Sequence, residues 1–285
     1  MPATASRLDT LALTAWWTAA ARARESARDD RLFDDRWAAI LAGRAAVDAF
    51  DDASREQGPG TGDLQAVITR HFDDLLIEAA GVSAIDQVVL LASGLDTRAF
   101  RLDWPSGVRV FDVDQEHVAV YKRTRFSLME VPAACDWRPI GADLRGGLVA
   151  RLCDAGFDSA RPSAWLLEAC LHFFDPAAVY ALLETITAAA AAGSRLGFDT
   201  VNADFLRSPA TRVWHEQMAP GGAPWLFTCD RPDRLLAPLG WQVSVADARE
   251  AAARMGRAVV ETAPTGPYTP RALLVSAVRA APLTG

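Results

Sequence analysis

The chain has a single lysine, Lys122, among 29 basic residues, and the other basic residues are arginine. With alanine abundant as well, this reads as a bias toward G+C-rich codons and points to a bacterial source. Positive charge is also short overall. Thirty-six Asp and Glu leave a formal net charge of −7, which argues against a nucleic acid partner, because binding phosphates needs a basic surface. Cysteine is scarce too. Cys135, Cys153, Cys170 and Cys229 lie far apart without a C-x-x-C pair, so reduced thiols are expected, buried at Cys153 and Cys170 where the surroundings are apolar. Histidines and cysteines show no metal-ligand spacing, so no metal is expected. No apolar run is long enough to span a bilayer, and Ala188 to Ala192 only ends a helix. The start of the chain lacks a basic, apolar and cleavage-site pattern. The expectation is a cytoplasmic protein with no membrane partner, its oligomeric state open, a homo-oligomer included.

What is present is a chain of 285 residues, 51% apolar and 23% charged, as in a soluble globular protein with one large α/β domain or two small ones. Leu8 to Arg28 reads as a helix, and Arg36 to Leu41 as a short one stopped by Gly43. After the loop Gln57-Gly58-Pro59-Gly60-Thr61-Gly62, a third helix runs from Asp63 to Ala80, with Gly81 as its stop. From Gln87 strands and helices alternate. Strand 88–92 leads to a helix near 96–102, strand 108–113 to helix 115–128, and a weaker strand 137–140 to helix 146–154. Strand 163–167 leads to a helix begun by Asp175-Pro176, a capping side chain followed by proline, and strand 195–200 follows. Beyond Val201 the rhythm breaks into a helix carrying Trp214 and His215, a loop with Trp225, strand 241–245, a helix near 247–256 and strand 272–278. The fold expected is α/β: a seven-stranded, mostly parallel, Rossmann-like sheet with helices on both faces. It reads as one domain, with an N-terminal helical cap (1–82), a cofactor-binding core (83–200) and an acceptor-side insertion with the last strands (201–285).

The apolar run Val88-Val89-Leu90-Leu91 ends at Ala92-Ser93-Gly94, and a helix follows. That is a strand–turn–helix unit whose glycine lets backbone N–H groups approach a ligand. Asp114 stands twenty residues on, the spacing of an acid that binds ribose hydroxyls. Asp143 and Glu168 close the next two strands in the same way. In an open parallel sheet, ligands sit outside the carboxyl ends of the strands. Gly94, Asp114, Asp143 and Glu168 therefore converge on one crevice suited to hydroxyl, amine or ring N–H donors. A nicotinamide-dependent oxidoreductase is the obvious alternative, but its fingerprint wants three glycines to seat a pyrophosphate. Here there is one, and Asp96 would repel a phosphate. A nucleoside without phosphates fits better, and S-adenosyl-L-methionine is the common one.

The stretch Val89 to Leu102 resembles the glycine motif of the leucine carboxyl methyltransferase-like family of class I methyltransferases. Other blocks match in the same order: Arg22-Ala23-Arg24-Glu25, Leu32-Phe33-Asp34-Asp35, Thr69-Arg70-His71-Phe72-Asp73-Asp74, Phe111-Asp112-Val113-Asp114-Gln115, Ala142-Asp143-Leu144-Arg145, and Gly156-Phe157-Asp158 through to Glu168. The likeness runs from about residue 14 to 200 and thins beyond. It implies S-adenosyl-L-methionine as cofactor and S-adenosyl-L-homocysteine as product. By the same resemblance Arg70 holds the methionine carboxylate, with Arg22 or Arg24 helping. The turn Ala92-Ser93-Gly94 faces the methionine part, Asp114 with Gln115 the ribose, Asp143 with Leu144 the adenine, and Glu168 the amino end. Two departures stand out. Ala92 replaces a glycine, where a positive φ would be strained, and His172 follows Glu168 where the family has an apolar run ending in Tyr-Leu.

Methyl transfer from a sulfonium is an in-line displacement, so alignment and a dry site do most of the work. A carboxylate acceptor is already ionised at neutral pH, whereas a phenol or alcohol gains from a general base. His172 is the candidate base or pocket wall, with His215 beside it. His71 could reach the site, and His117 is expected to face solvent. Phe173, Phe174, Trp214, Trp225 and Phe227 suggest an apolar acceptor pocket. The reading is an O-methyltransferase acting on the carboxylate or hydroxyl of a small, partly hydrophobic, natural-product-like molecule. Its alternatives are the oxidoreductase and a catalytically inactive binding protein.

Overall fold

The computed structural model describes residues 7–57, 62–209, 211, 224–259 and 266–281. Its strands are β1 (Gln87–Leu91), β2 (Arg109–Asp114), β3 (Asp136–Gly141), β4 (Ala164–Leu167), β5 (Arg195–Val201), β6 (Trp241–Asp247) and β7 (Ala272–Arg279). They form one sheet in the order β3-β2-β1-β4-β5-β7-β6. β1 to β5 pair in parallel, and β7 runs antiparallel between β5 and β6. The chain order reverses between β1 and β4, which opens a crevice at the strand carboxyl ends. Both of these central strands are buried throughout, which is why they read as continuous apolar runs instead of alternating ones.

Helices α1 (Arg7–Ser26), α2 (Ala38–Ala42), α3 (Arg44–Gln57) and α4 (Asp63–Gly81) precede the sheet. Then come α5 (Arg98–Arg101), α6 (Glu116–Leu128), α7 (Leu148–Asp154), α8 (Pro176–Ala189), α9 (Ala203–Arg207), α10 (Pro232–Leu236) and α11 (Ala248–Arg254). Successive strand residues point to opposite faces. Val88, Leu90 and Val110 pack against Phe72 and Leu76 of α4, Phe126 of α6 and Ala20 of α1. Val89, Leu91 and Phe111 pack against Leu152 of α7, Leu183 and Ile186 of α8 and Leu236 of α10. Asp175 caps α8 by accepting from the Ala178 N–H at 2.9 Å, with Pro176 in the first turn. The cap helices are also tied to the far end of the chain. Arg257, just past α11, donates to Glu25 Oε1 at 2.7 Å and to the Asp30 carbonyl at 2.6 Å.

Four differences from the sequence reading stand out. The cap holds one helix more than expected: α3 is rich in charge, and Ala46, Val47, Phe50 and Ser54 turn inward from it. That narrow stripe is anchored by Phe50 against Trp17, with ring centroids 4.7 Å apart. Gly81 does not stop α4 by a left-handed turn; it lies in the helix, and the positive φ falls on Ala84 (52°). The helix expected near 96–102 is the single turn α5, because Asp96 and Thr97 belong to the loop before it. Cys153 is exposed, not buried, since it sits on the outer side of the amphipathic α7, whereas Cys170 is buried as expected. Trp214, His215 and the loop residues 58–61 lie outside the described residues. No described helix is long and apolar enough to cross a membrane.

Candidate active site

A cavity of about 1400 Å³ opens at the carboxyl ends of β1 to β5, with α1 and α4 on its opposite wall. Small-molecule pockets span roughly 300–1,000 Å³, so this one has room for two ligands side by side. Ala92, Ser93, Gly94, Asp114, Gln115, Asp143, Leu144, Glu168, His172 and Arg22 all line it. Arg70 does not. It lies half-exposed on α4, with Nε on both carboxylate oxygens of Asp74 at 2.9 and 3.0 Å and Nη1 on the Leu32 carbonyl at 2.8 Å. Where the resemblance implied a carboxylate-binding Arg70, the side chain forms an i,i+4 pair on the helix surface.

The glycine turn is built for close approach. Gly94 has φ +52°, and a Cβ there would stand 3.0 Å from the Cβ of Ala15 on α1. Its N–H donates to Asp114 Oδ2 at 2.6 Å, while the Gln115 N–H donates to Oδ1 at 2.6 Å. Each carboxylate oxygen keeps a further lone pair for a hydroxyl donor. Burial raises the Asp114 pKa, against these N–H bonds and Lys122. Ala92 does adopt a positive φ, 48°, a conformation that strains any residue with a Cβ. Beneath the turn, Lys122 from α6 donates to Ser93 Oγ at 3.1 Å and forms a buried pair with Asp112 at 2.7 Å. Trp137 Nε1 satisfies the other Asp112 oxygen at 2.8 Å. The one lysine of the chain therefore props up the turn, a placement that composition alone gave no reason to expect.

Arg98 organises the side of the site next to α4. Only 2% of it is exposed. It donates to Asp73 Oδ1 (2.7 Å), Asp96 Oδ2 (2.5 Å) and Glu168 Oε2 (2.5 Å). Glu168 Oε1 also accepts from Thr69 and Gln65 of α4, each at 2.7 Å. The Glu168 carboxyl group is thereby fixed in place facing the cavity. Burial pulls Asp96 upward, but Arg98, Arg22, Lys122 and Arg101 outweigh it and hold its pKa at about 2. Arg22 is buried, with Nε on Asp35 at 2.9 Å and Nη2 on the Leu95 carbonyl at 2.6 Å. It is a buried cation beside the turn that lines the cavity, as Arg70 does not. Asp143 is exposed at the rim and its pKa is lowered by Arg145, which bonds to it at 2.7 Å.

The far wall is aromatic. The His172 ring stacks on Trp225 at 4.1 Å, with Phe173 edge-on at 5.1 Å and Phe205 stacked on Trp225 at 5.6 Å. His117 is exposed and lines the rim, while His71 turns toward Ser276 of β7 (3.4 Å) and does not line the cavity. Sequence reasoning missed Arg98, Asp96 as a held anion, and Asp199 of β5. Asp199 lines the cavity and accepts from the Ala169 N–H at 2.6 Å. The rule that singled out acids at strand ends reaches Asp199 as well, had it been extended to the fifth strand.

The leucine carboxyl methyltransferase family model matches residues 15–187. The chain belongs to this family, and it is a methyltransferase. Relatives include a protein of Mycolicibacterium smegmatis, 37% identical over 85% of this chain and 87% of its own length, and one of Saccharopolyspora erythraea, 38% identical over 81% and 83%. Both carry names describing S-adenosyl-L-methionine-dependent methyltransferases. Among solved structures, a methyltransferase from Thermobifida fusca superposes with a TM-score of 0.63 at 20% identity, covering 89% of this chain and 95% of that one. A DUF574 family protein from Streptomyces avermitilis gives the same TM-score at 15% identity over 90% and 98%. These two likenesses support the fold alone. The lining residues also match the methyl donor chemically: Asp114 and Asp143 can accept from ribose hydroxyls and the adenine amine, Asp96 and Glu168 offer carboxyl oxygens to an ammonium, and Arg22 offers a guanidinium to a carboxylate.

Proposed function

We propose that this family member methylates an oxygen of a small, partly hydrophobic acceptor. S-adenosyl-L-methionine is the methyl donor and supplies an electrophilic methyl on a sulfonium. The observation that carries the reading is the continuity of one cavity from Gly94, Asp114 and Asp143 to the aromatic wall of His172, Phe173 and Trp225. Gly94, Asp114 and Asp143 would hold the nucleoside, and Arg22 with Asp96 the amino acid end. That places the reacting centre toward Glu168 and the ends of β4 and β5. Fixed carboxylates there favour developing or resident positive charge without reorganisation. Phe173, Phe205 and Trp225 exclude water from the acceptor side, which suits a displacement that needs alignment above all. His172 serves that wall through its stacking on Trp225.

The test pairs binding with product analysis. Calorimetric titration should show S-adenosyl-L-homocysteine binding and no NADH binding. Incubation with donor carrying a deuterated methyl, followed by mass spectrometry, should show the label on an oxygen of a small aromatic acceptor. Label on nitrogen, carbon or sulfur would overturn the O-methyl reading. Donor bound without transfer to any of a broad panel would mark the chain as a binding protein.

A further inference from the structure

Asp199 has an unusual position for a carboxylate. It is 4% exposed, yet it lines the cavity. It shares a face of β5 with Gly197, against which Phe72 of α4 packs, and with Val201, which belongs to the core on that side. β4 ends in a left-handed turn at Ala169 (φ 51°), which aims the Ala169 N–H at Asp199 Oδ1. No ion pair to Asp199 exists among the described residues. Glu168, by contrast, is held by Arg98, Gln65 and Thr69. The two acids at the same wall are therefore held differently: Glu168 by a guanidinium and two side-chain donors, Asp199 by the Ala169 N–H with no ion pair among the described residues.

We propose that Asp199 is the general base that takes the proton of a phenol-type hydroxyl, and that this wall selects such acceptors over carboxylates. The proposal rests on the O-methyl reading above. In the step, the acceptor O–H proton moves to an Asp199 carboxylate oxygen as the O–CH3 bond forms. The S–CH3 bond breaks, its electron pair stays on sulfur, and a neutral thioether leaves. A carboxylate acceptor would bring a further anion beside Glu168 and Asp199, whereas a neutral hydroxyl meets an acceptor for its proton and a flat ring meets Phe173, Phe205 and Trp225. Burial raises the Asp199 pKa to about 7, Glu168 adds to the rise and the Ala169 N–H opposes it, so the group takes up and releases a proton near neutrality, where a base works best. Other titratable or charged groups on the packed elements are Cys170 and His172 after β4, Asp73 on α4, which is held by Arg98 and Arg101, and His71 on α4, which faces Ser276.

The experiment compares wild type with Asp199→Asn, which keeps the shape and an oxygen for the Ala169 N–H. Acceptors are aromatic pairs of matched skeleton, one member bearing a hydroxyl and the other a carboxylate, at saturating donor. Wild type should methylate the hydroxyl members, with a rate that rises through about pH 7, while Asp199→Asn should lose roughly 10²-fold or more and the pH dependence. Its affinity for S-adenosyl-L-homocysteine should stay within about twofold of wild type, which shows an intact fold. Independently of turnover, infrared difference spectra should show a carboxylic C=O band that titrates near pH 7 in wild type and is missing from the variant. Transfer to the carboxylate members, an Asp199→Asn rate within about threefold of wild type, or no such band would each overturn the proposal. If wild type methylates neither class, the O-methyl reading itself falls, a result seen without any variant.

Discussion

Replacing Arg98 with methionine should cost more stability than any other single change at the site. The guanidinium is buried and bridges Asp73, Asp96 and Glu168, with a weaker bond to the Thr69 carbonyl at 3.2 Å. Its removal is not felt equally. Asp73 keeps Arg101 at 2.7 and 2.8 Å, and Glu168 keeps Thr69 and Gln65. Among the described residues, Asp96 keeps only the backbone N–H of residue 98 as a close donor. Stranding one partner of a buried pair costs about 3–5 kcal/mol, a large part of the ~5–15 kcal/mol that holds a domain together. The deficit should depend on pH. In wild type the depressed Asp96 pKa stabilises the fold above its ordinary value of 3.8, and this is lost as pH falls toward about 2. Without Arg98, burial has less to oppose it and the folded-state pKa rises, so ionisation itself becomes a cost. Urea unfolding at about pH 7.5 should therefore show a larger loss than at about pH 4.5. Arg98→Lys should fall between, since one ammonium cannot span three carboxylates. A methionine variant within about 1 kcal/mol of wild type at both pH values would refute the reasoning.

Other expectations follow from the same geometry. Arg22→Ala should weaken S-adenosyl-L-homocysteine binding at least tenfold, the order of a lost charge-assisted contact of about 1.5–3 kcal/mol; Arg70→Ala should change it less than twofold, and calorimetry showing the reverse would restore Arg70 to the site. Ala92→Gly should relieve the left-handed strain and raise stability by about 0.5–1 kcal/mol after the entropy cost of glycine; a lower melting temperature would show that the turn is not strained. Asp199, whose pKa is raised, binds its proton in the folded state more tightly than in the unfolded one. Its contribution to stability should therefore fall as pH rises from 3.8 toward about 7, and Asp199→Asn should flatten that slope in pH-dependent melting curves.

Local signals were strong where a residue answers to its own neighbours in the chain. The apolar runs of β1 and β4, the Asp175-Pro176 start of α8, the glycine turn and the acids at successive strand ends all declare themselves in a few residues. The helix α3 did not, because a few inward residues among many charges make a weak stripe until Trp17 supplies a partner for Phe50. The strained Ala92 was legible from its place in the turn, and the structure shows the positive φ there.

The sequence by itself thus determined the parallel sheet, the crevice at its carboxyl ends and the acids that line it, since strand period and turn chemistry are local. Only the tertiary structure decided which charges meet. Arg70 and Arg22 are alike as sequence, yet one pairs with Asp74 on a helix surface and the other is buried beside the turn. Lys122, Arg98 and Asp199 acquire their roles from partners 10 to 70 residues away. Whether a charge is screened or held depends on the dielectric around it and on the partners that packing brings within reach, and no window along the chain contains either.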